Sequence, residues 1–103
     1  MRGMNDLLRQ AQVMQSKMSK LQGEMAERTL EATSGGGMVK VTVSGKQEVK
    51  SIVIDPKAVD PNDVEMLQDL VLTAVNEALR QAKDAMEKEM SALTGGLKMP
   101  GLF

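Results

Sequence analysis

The chain has 103 residues, of which 42% are hydrophobic and 26% are charged, with ten Met, one Phe and no His, Cys, Trp or Tyr. Without imidazole or thiol groups there is no His base, Cys nucleophile, disulfide or Cys/His zinc site, so we expect a binding protein that is not an enzyme and holds no cofactor or metal. The net charge of -1 gives no overall basicity that would indicate nucleic-acid binding.

The length predicts a single domain spanning residues 1–103. With so few aromatic side chains, each buried residue contributes little area, which favours further burial through oligomerisation. No apolar run approaches the roughly 20 residues that span a bilayer, and no targeting segment is apparent. We therefore expect a cytoplasmic protein without a membrane partner.

The first predicted element is a helix over residues 5–25. Its apolar side chains recur at alternating steps of three and four residues, the heptad spacing of a helix that packs on another helix. They are Met4, Leu7, Ala11, Met14, Met18, Leu21 and Met25. A Met-rich stripe at this spacing predicts a packing surface rather than a metal site, and one narrow seam requires a partner helix.

Alternating apolar and polar residues then predict three antiparallel strands. They cover residues 29–34, 38–44 and 47–54. A glycine triplet at 35–37 separates the first two, and Gly45 and Lys46 mark the next turn. The apolar positions of the third strand change parity between Val49 and Ile52, and a β-bulge near residues 50–51 would restore a single buried face.

A long helix is predicted to follow, with Asp60 as its N-cap and Pro61 as its first residue. Apolar residues recur at helical spacing from Val64 to Leu93, and Gly95 and Gly96 end the element. Such a helix is about 50 Å long, more than a three-stranded meander needs for cover. The fold class is therefore α+β, in the order α-β-β-β-α, with a flexible tail over about residues 95–103.

Two apparent motifs are better explained structurally. A phosphate-binding loop ending at Gly45 and Lys46 would require Gly at position 40 and Ser or Thr at position 47, where Lys40 and Gln47 stand. The glycine triplet is therefore interpreted as a strand connection. The acidic stretch of residues 55–65 lacks the spacing of a calcium loop and is interpreted as helix capping.

The distribution of charge is more informative than its sum. Residues 1–22 carry +3 and residues 38–54 carry +2, whereas the chain from residue 55 onward carries -4. The absence of Tyr and Trp disfavours base stacking, so any nucleic-acid contact is expected at duplex phosphates. From charge we select candidate DNA-binding residues, with the last three weaker than the first four. They are Arg2, Arg9, Lys17, Lys20, Arg80, Lys83 and Lys88.

Several short runs occur in a characteristic order along nearly the whole chain. They are the triplet with Met-Val-Lys-Val-Thr-Val (35–43), Gly-Lys (45–46), Ile-Val-Ile-Asp-Pro (52–56), Asp-Leu-Val (69–71), Ala-Val-Asn-Glu-Ala (74–78) and Met-Pro-Gly-Leu-Phe (99–103). In these runs the chain resembles the YbaB/EbfC family of bacterial nucleoid-associated proteins.

The resemblance implies a homodimer with joined sheets and projecting helices that binds double-stranded DNA with little sequence preference. It also implies a place in the bacterial nucleoid, effects on gene expression, and a connection to recombination, repair or replication proteins. It assigns no DNA-contacting residue. An alternative from another class is a helical interaction scaffold whose Met-rich grooves capture a partner protein, with incidental DNA affinity.

Overall fold

The computed structural model describes residues 2–95, and for Arg2 it describes the backbone alone. The helices are α1 (Arg2–Glu27) and α2 (Val64–Leu93), and the strands between them are β1 (Thr29–Ser34), β2 (Val39–Ser44) and β3 (Val49–Ile54). The expected α-β-β-β-α order is confirmed. The predicted tail lies, from residue 96 onward, outside the described residues. Neither described helix combines the length and the hydropathy needed to cross a membrane.

The three strands form an antiparallel meander in the order β1-β2-β3. Val39 and Val41 of β2 pair with Ile54 and Ile52 of β3, but Val43 pairs with Val49. The register therefore shifts by one residue at position 50, which is the predicted β-bulge. Because cross-strand partners share a face, the bulge brings Val49, Ile52 and Ile54 to the same side as the β2 valines, and Val53 lies on the other side.

The main core lies between α2 and the first two strands. Val39, Val41 and Val43 are completely buried, and so are Ala74, Ala78 and Ala82, which recur every fourth residue on α2. Alanine at this spacing lets the helix axis approach the sheet closely, since no longer side chain holds the two apart. Ala32 and Leu30 complete this core from β1.

β3 departs from the sequence prediction. The bulge was expected to give β3 a single buried face, yet in the described chain Val49 and Ile52 are each 45% exposed, and Val53 on the other face is 54% exposed. The reason is the position of α2, which packs on β1 and β2 and leaves β3 uncovered within residues 2–95. β3 is therefore an apolar edge strand that is open on both faces.

The start of α2 also differs from the prediction. Asp60 does not cap the helix: its carboxylate accepts the backbone N–H of Asn62 at 2.9 Å, in a turn that contains Pro61. The N-cap is Asp63, whose carboxylate accepts the N–H of Met66 at 3.2 Å. Both aspartates compete for the same role, and the Pro-Asn turn delays the helix by three residues.

Two glycines allow the helices to approach the ends of β2. At Gly35 φ is +61°, and a Cβ there would lie 2.8 Å from the Leu70 side chain. At Gly45 a Cβ would lie 2.7 Å from the carbonyl oxygen of Met25, and the Gly45 N–H donates to the Arg28 carbonyl at 2.9 Å. The triplet and the hairpin turn are therefore packing sites for α2 and α1 respectively.

Candidate nucleic-acid interface

α1 is anchored to the rest of the molecule through its C-terminal half alone. Leu21 and Met25 pack with Met90 of α2, and these three residues are at most 8% exposed. The N-terminal half of α1 projects from this contact, and its apolar side chains are exposed. Leu7 is 68% exposed and Met4 is 62% exposed. The predicted heptad seam therefore finds its partner helix over one half of its length.

Three of the predicted cations form a line along α1, which we call the basic line: Arg9, Lys17 and Lys20, all exposed. Arg9 and Lys20 are eleven residues apart, just over three helical turns, so they lie on one side of the helix about 16 Å apart along its axis. Lys17 lies one turn before Lys20. Position 2 is seven residues before Arg9, nearly two turns, so the backbone of Arg2 begins the same line.

The basic line borders two shallow grooves. Arg9 and Lys17 flank one of them, with Val13 and Met14 between them. Lys17 and Lys20 flank the second, which is also lined by Glu24 of α1 and by Glu89 from the end of α2. Lys17 belongs to both grooves and so makes the line continuous. The two carboxylates reduce the local potential at the second groove without forming an ion pair with either lysine.

The cations of the basic line are available for a ligand. Among the ion pairs formed within residues 2–95, none involves Arg9, Lys17 or Lys20. A cation that has not already bonded to a carboxylate loses less when it binds a phosphate, because no intramolecular hydrogen bond must break first.

Arg80 is in the contrary situation. Its guanidinium bonds to Glu77 at 2.6 Å and to Asp84 at 2.8 Å on the same helix. The hydrogen bond from Arg80 lowers the pKa of the Glu77 carboxyl, and the same bond raises the pKa of Arg80. Two carboxylates thus offset its single positive charge, so of the predicted residues Arg80 is the least able to attract a phosphate.

Lys83 and Lys88 lie on α2 and are exposed. No ion pair within the described part of the chain includes either of them. Their neighbours in sequence are nevertheless acidic, since Asp84, Glu87 and Glu89 fall in the same two turns. The potential around these lysines is therefore close to neutral, unlike that along the N-terminal half of α1.

One cation outside the predicted set lies near the base of α1. Lys46 is exposed in the β2–β3 turn, next to Gly45, which contacts Met25 at the base of α1. The +2 charge of residues 38–54 was the feature of the sequence that pointed to it. Its position beside α1 could not be derived from spacing, because it depends on the close approach of α1 to the hairpin.

Comparisons with known proteins agree with this fold. The chain matches the YbaB/EbfC DNA-binding family over residues 1–97. It belongs to this family. The family is described by DNA binding rather than by catalysis. The resemblance drawn from the short runs is thereby confirmed.

Close relatives cover nearly the whole chain. A nucleoid-associated protein of Desulforamulus reducens is 61% identical over 97% of this chain and 95% of its own length. One from Moorella thermoacetica is 54% identical over 98% and 97% of the two chains. The crystal structure of an uncharacterized protein from Helicobacter pylori shares the fold, with a TM-score of 0.78, 23% identity, and coverage of 85% of this chain and 92% of that one.

Proposed function

We propose that this protein is a nucleoid-associated protein of the bacterial cytoplasm that binds double-stranded DNA as a homodimer, through phosphate contacts and with little sequence preference. The observation that carries the proposal is the basic line on a helix that projects from the body of the molecule, with no carboxylate bonded to its cations within the described residues. The names of the relatives agree with this role.

The chemistry of the basic line favours phosphates over bases as ligands. Lysine is a point charge on a flexible stem and suits a phosphate oxygen without fixing which base lies nearby. α1 contains no aromatic residue that could stack on a base. Binding of this kind depends on the release of counterions from DNA, so its affinity falls steeply as salt is added.

β3 supports the homodimer. An edge strand with exposed valine and isoleucine side chains is an aggregation hazard that natural proteins normally cover or pair. Ile54 is 36% exposed and Val53 is 54% exposed, while the outer backbone edge of β3 has no partner strand within the described chain. A second copy that joins this edge would cover it and would double the number of basic lines in one particle.

The alternative is the interaction scaffold, and the exposed apolar half of α1 favours it. The two functions differ in their response to salt, because capture of a protein by an apolar surface is not weakened by added ions. Nucleoid organisation, gene expression and recombinational repair, with recombination or replication proteins as partners, are the settings in which we propose that the DNA binding acts.

The test is a salt titration of duplex binding, followed by fluorescence anisotropy on two duplexes of unrelated sequence. We expect equal affinities for the two duplexes and a steep linear decrease of log K with log salt. Light scattering on the same sample should give twice the 11.2 kDa mass of one chain. Weak affinity that is insensitive to salt would contradict the DNA-binding proposal and favour the scaffold.

A further inference from the structure

The N-terminal half of α1 carries an apolar surface that nothing within residues 2–95 covers. We call it the tip stripe: Met4, Leu7, Leu8, Ala11 and Met14. Leu8 is 57% exposed and Met14 is 38% exposed, and the other three side chains are also exposed. The stripe continues the heptad seam that Met18, Leu21 and Met25 use to pack against α2. It is therefore a helix-pairing surface without its helix.

We propose that the tip stripe pairs with the tip stripe of a second copy belonging to another DNA-bound dimer, so that the protein bridges two duplexes. The inference rests on the proposed function, since the bridge needs a DNA-binding dimer at each end. Its new element is the contact that joins two dimers, which is separate from the contact that forms each dimer.

The charge around the stripe favours an identical partner. Between positions 3 and 16 the charged residues are Asp6 and Arg9, one of each sign. The positions that flank the seam carry Gly3, Gln10 and Gln15, which are uncharged. A strongly acidic or basic partner helix would find no complementary charges there, whereas a second copy would meet no repulsion.

The stripe can be occupied while the protein binds DNA and remains dimeric. Leu7 and Arg9 are two residues apart, which places them about 200° apart around the helix, so the centre of the stripe faces away from Arg9. Met14 lies at the margin of the stripe, in the groove between Arg9 and Lys17. Met14 is eleven residues from Met25, the residue that contacts the β2–β3 turn. The stripe therefore begins about 16 Å along the axis of α1 from the point where α1 touches the β2–β3 turn.

The expected strength of this contact follows from its length. The stripe covers about three helical turns, shorter than helices that are stable on their own in water. We therefore expect pairing in free solution only at high protein concentration. On DNA the dimers are held close together, and the raised effective concentration makes the same weak contact sufficient.

The experiment compares Leu7→Gln with a matched control, Val13→Gln. Both residues lie on α1 and are exposed, Leu7 at 68% and Val13 at 48%, but Val13 is on the side of the basic line. Gln has a helix propensity close to that of Leu and adds no charge, so fold and dimer mass should persist in both variants and single-duplex affinity should persist in Leu7→Gln. Because Val13 lines the groove between Arg9 and Lys17, the single-duplex affinity of each variant is also measured, and capture is compared at equal occupancy of the first duplex. Bridging is measured by immobilising one duplex on beads and counting the capture of a second, labelled duplex.

We expect the parent and Val13→Gln to capture the second duplex and Leu7→Gln to capture about tenfold less. Equal capture by all three proteins, or an equal loss in both variants, would overturn the proposal. A chain ending at residue 95 tests whether the tail is the occupant instead. Unchanged capture by that chain supports the second copy, whereas bridging that arises only after the truncation assigns the stripe to the tail and refutes the proposal.

Sedimentation of the protein alone separates this inference from the proposed function. At high concentration the parent should form a species of twice the dimer mass that is lost in Leu7→Gln and kept in Val13→Gln. Dimers that pair in this way but bind no single duplex would refute the DNA function and leave the stripe contact standing. Dimers that bind DNA but never pair, on or off DNA, would refute the stripe contact alone.

Discussion

The replacement of Lys17 and Lys20 by Gln is the most direct perturbation of the basic line. Both side chains are exposed and lie off the heptad seam, so α1 and its packing on α2 should be unchanged. A homodimer presents each lysine twice. The slope of log K against log salt changes by about 0.9 for each phosphate contact, so it should fall by about 1.8 if one lysine per protomer contacts DNA and by about 3.6 if both do.

These slopes translate into an effect that a binding assay resolves easily. Raising the salt from 50 to 200 mM should weaken DNA binding by the parent more than DNA binding by the variant. The difference should be about 10-fold in the first case and about 100-fold in the second. The matched control is Lys83→Gln with Lys88→Gln, which makes the same change of charge on α2, where acidic neighbours already offset both lysines. Anisotropy titrations on scattering-verified dimers give the slopes. A Lys17/Lys20 variant with the parent slope would refute α1 as the DNA surface.

Further predictions concern stability and assembly. Val41→Asp should abolish the cooperative melt, because an unpaired charge in the core costs several kcal/mol. Ile52→Asp should leave a folded monomer in light scattering, since Ile52 is 45% exposed in one chain. A stable Val41 variant or a dimeric Ile52 variant would contradict this. Gly35→Ala should cost about 1 kcal/mol or more in chemical denaturation, and Gly36→Ala should cost less, because both have positive φ but a Cβ at Gly36 meets nothing within 4 Å. The lowered pKa of Glu77 means that its carboxylate stabilises the fold at pH values above the ordinary carboxyl range, and that this contribution is lost as the pH falls through the lowered value. The Tm difference between the parent and Glu77→Gln should therefore vanish in acid. A Tm difference that is independent of pH would refute the pairing of Glu77 with Arg80.

Much of the fold is encoded in local periodicity. β1 has the predicted limits, Thr29–Ser34, and β2 and β3 begin within two residues of the prediction. The bulge was predictable because a change of parity in an otherwise alternating strand has one economical explanation, an extra residue at position 50. Patterns of this kind depend on the chain itself, and a single sequence contains them in full.

The exposure of β3 could not be predicted in the same way. Ile52 and Val41 are cross-strand partners with similar side chains, yet one is 45% exposed and the other is fully buried. What separates them is the lateral position of α2 over the sheet, a tertiary property that no periodicity encodes. The predicted N-cap of α2 was wrong for a related reason. Asp60 and Asp63 have the same side chain, and the geometry of the turn between them decides which one caps the helix.

Some features of the candidate site could likewise be predicted from the sequence, and others could not. Charge counting identified α1 as basic, and helical spacing brings Arg9 and Lys20 to one side of it. The two ion pairs of Arg80 could also have been predicted from the sequence, since Glu77 and Asp84 stand three and four residues from it on a helix. The proximity of Lys46 to the base of α1 could not be predicted from the sequence, because it depends on the contact of Gly45 with Met25.

The joint between α1 and α2 is suited to a ligand that is recognised by its backbone. The contact is built largely from methionine, with Met25 and Met90 at its centre and Met18 and Met86 at its margin. Methionine is unbranched and repacks at little cost, so such a joint tolerates small changes in the angle of α1. A reader of base edges needs its helix held in one register, whereas phosphates recur along every duplex and can be followed by a helix that adjusts. An adaptable joint and a line of flexible cations therefore serve the same mode of binding.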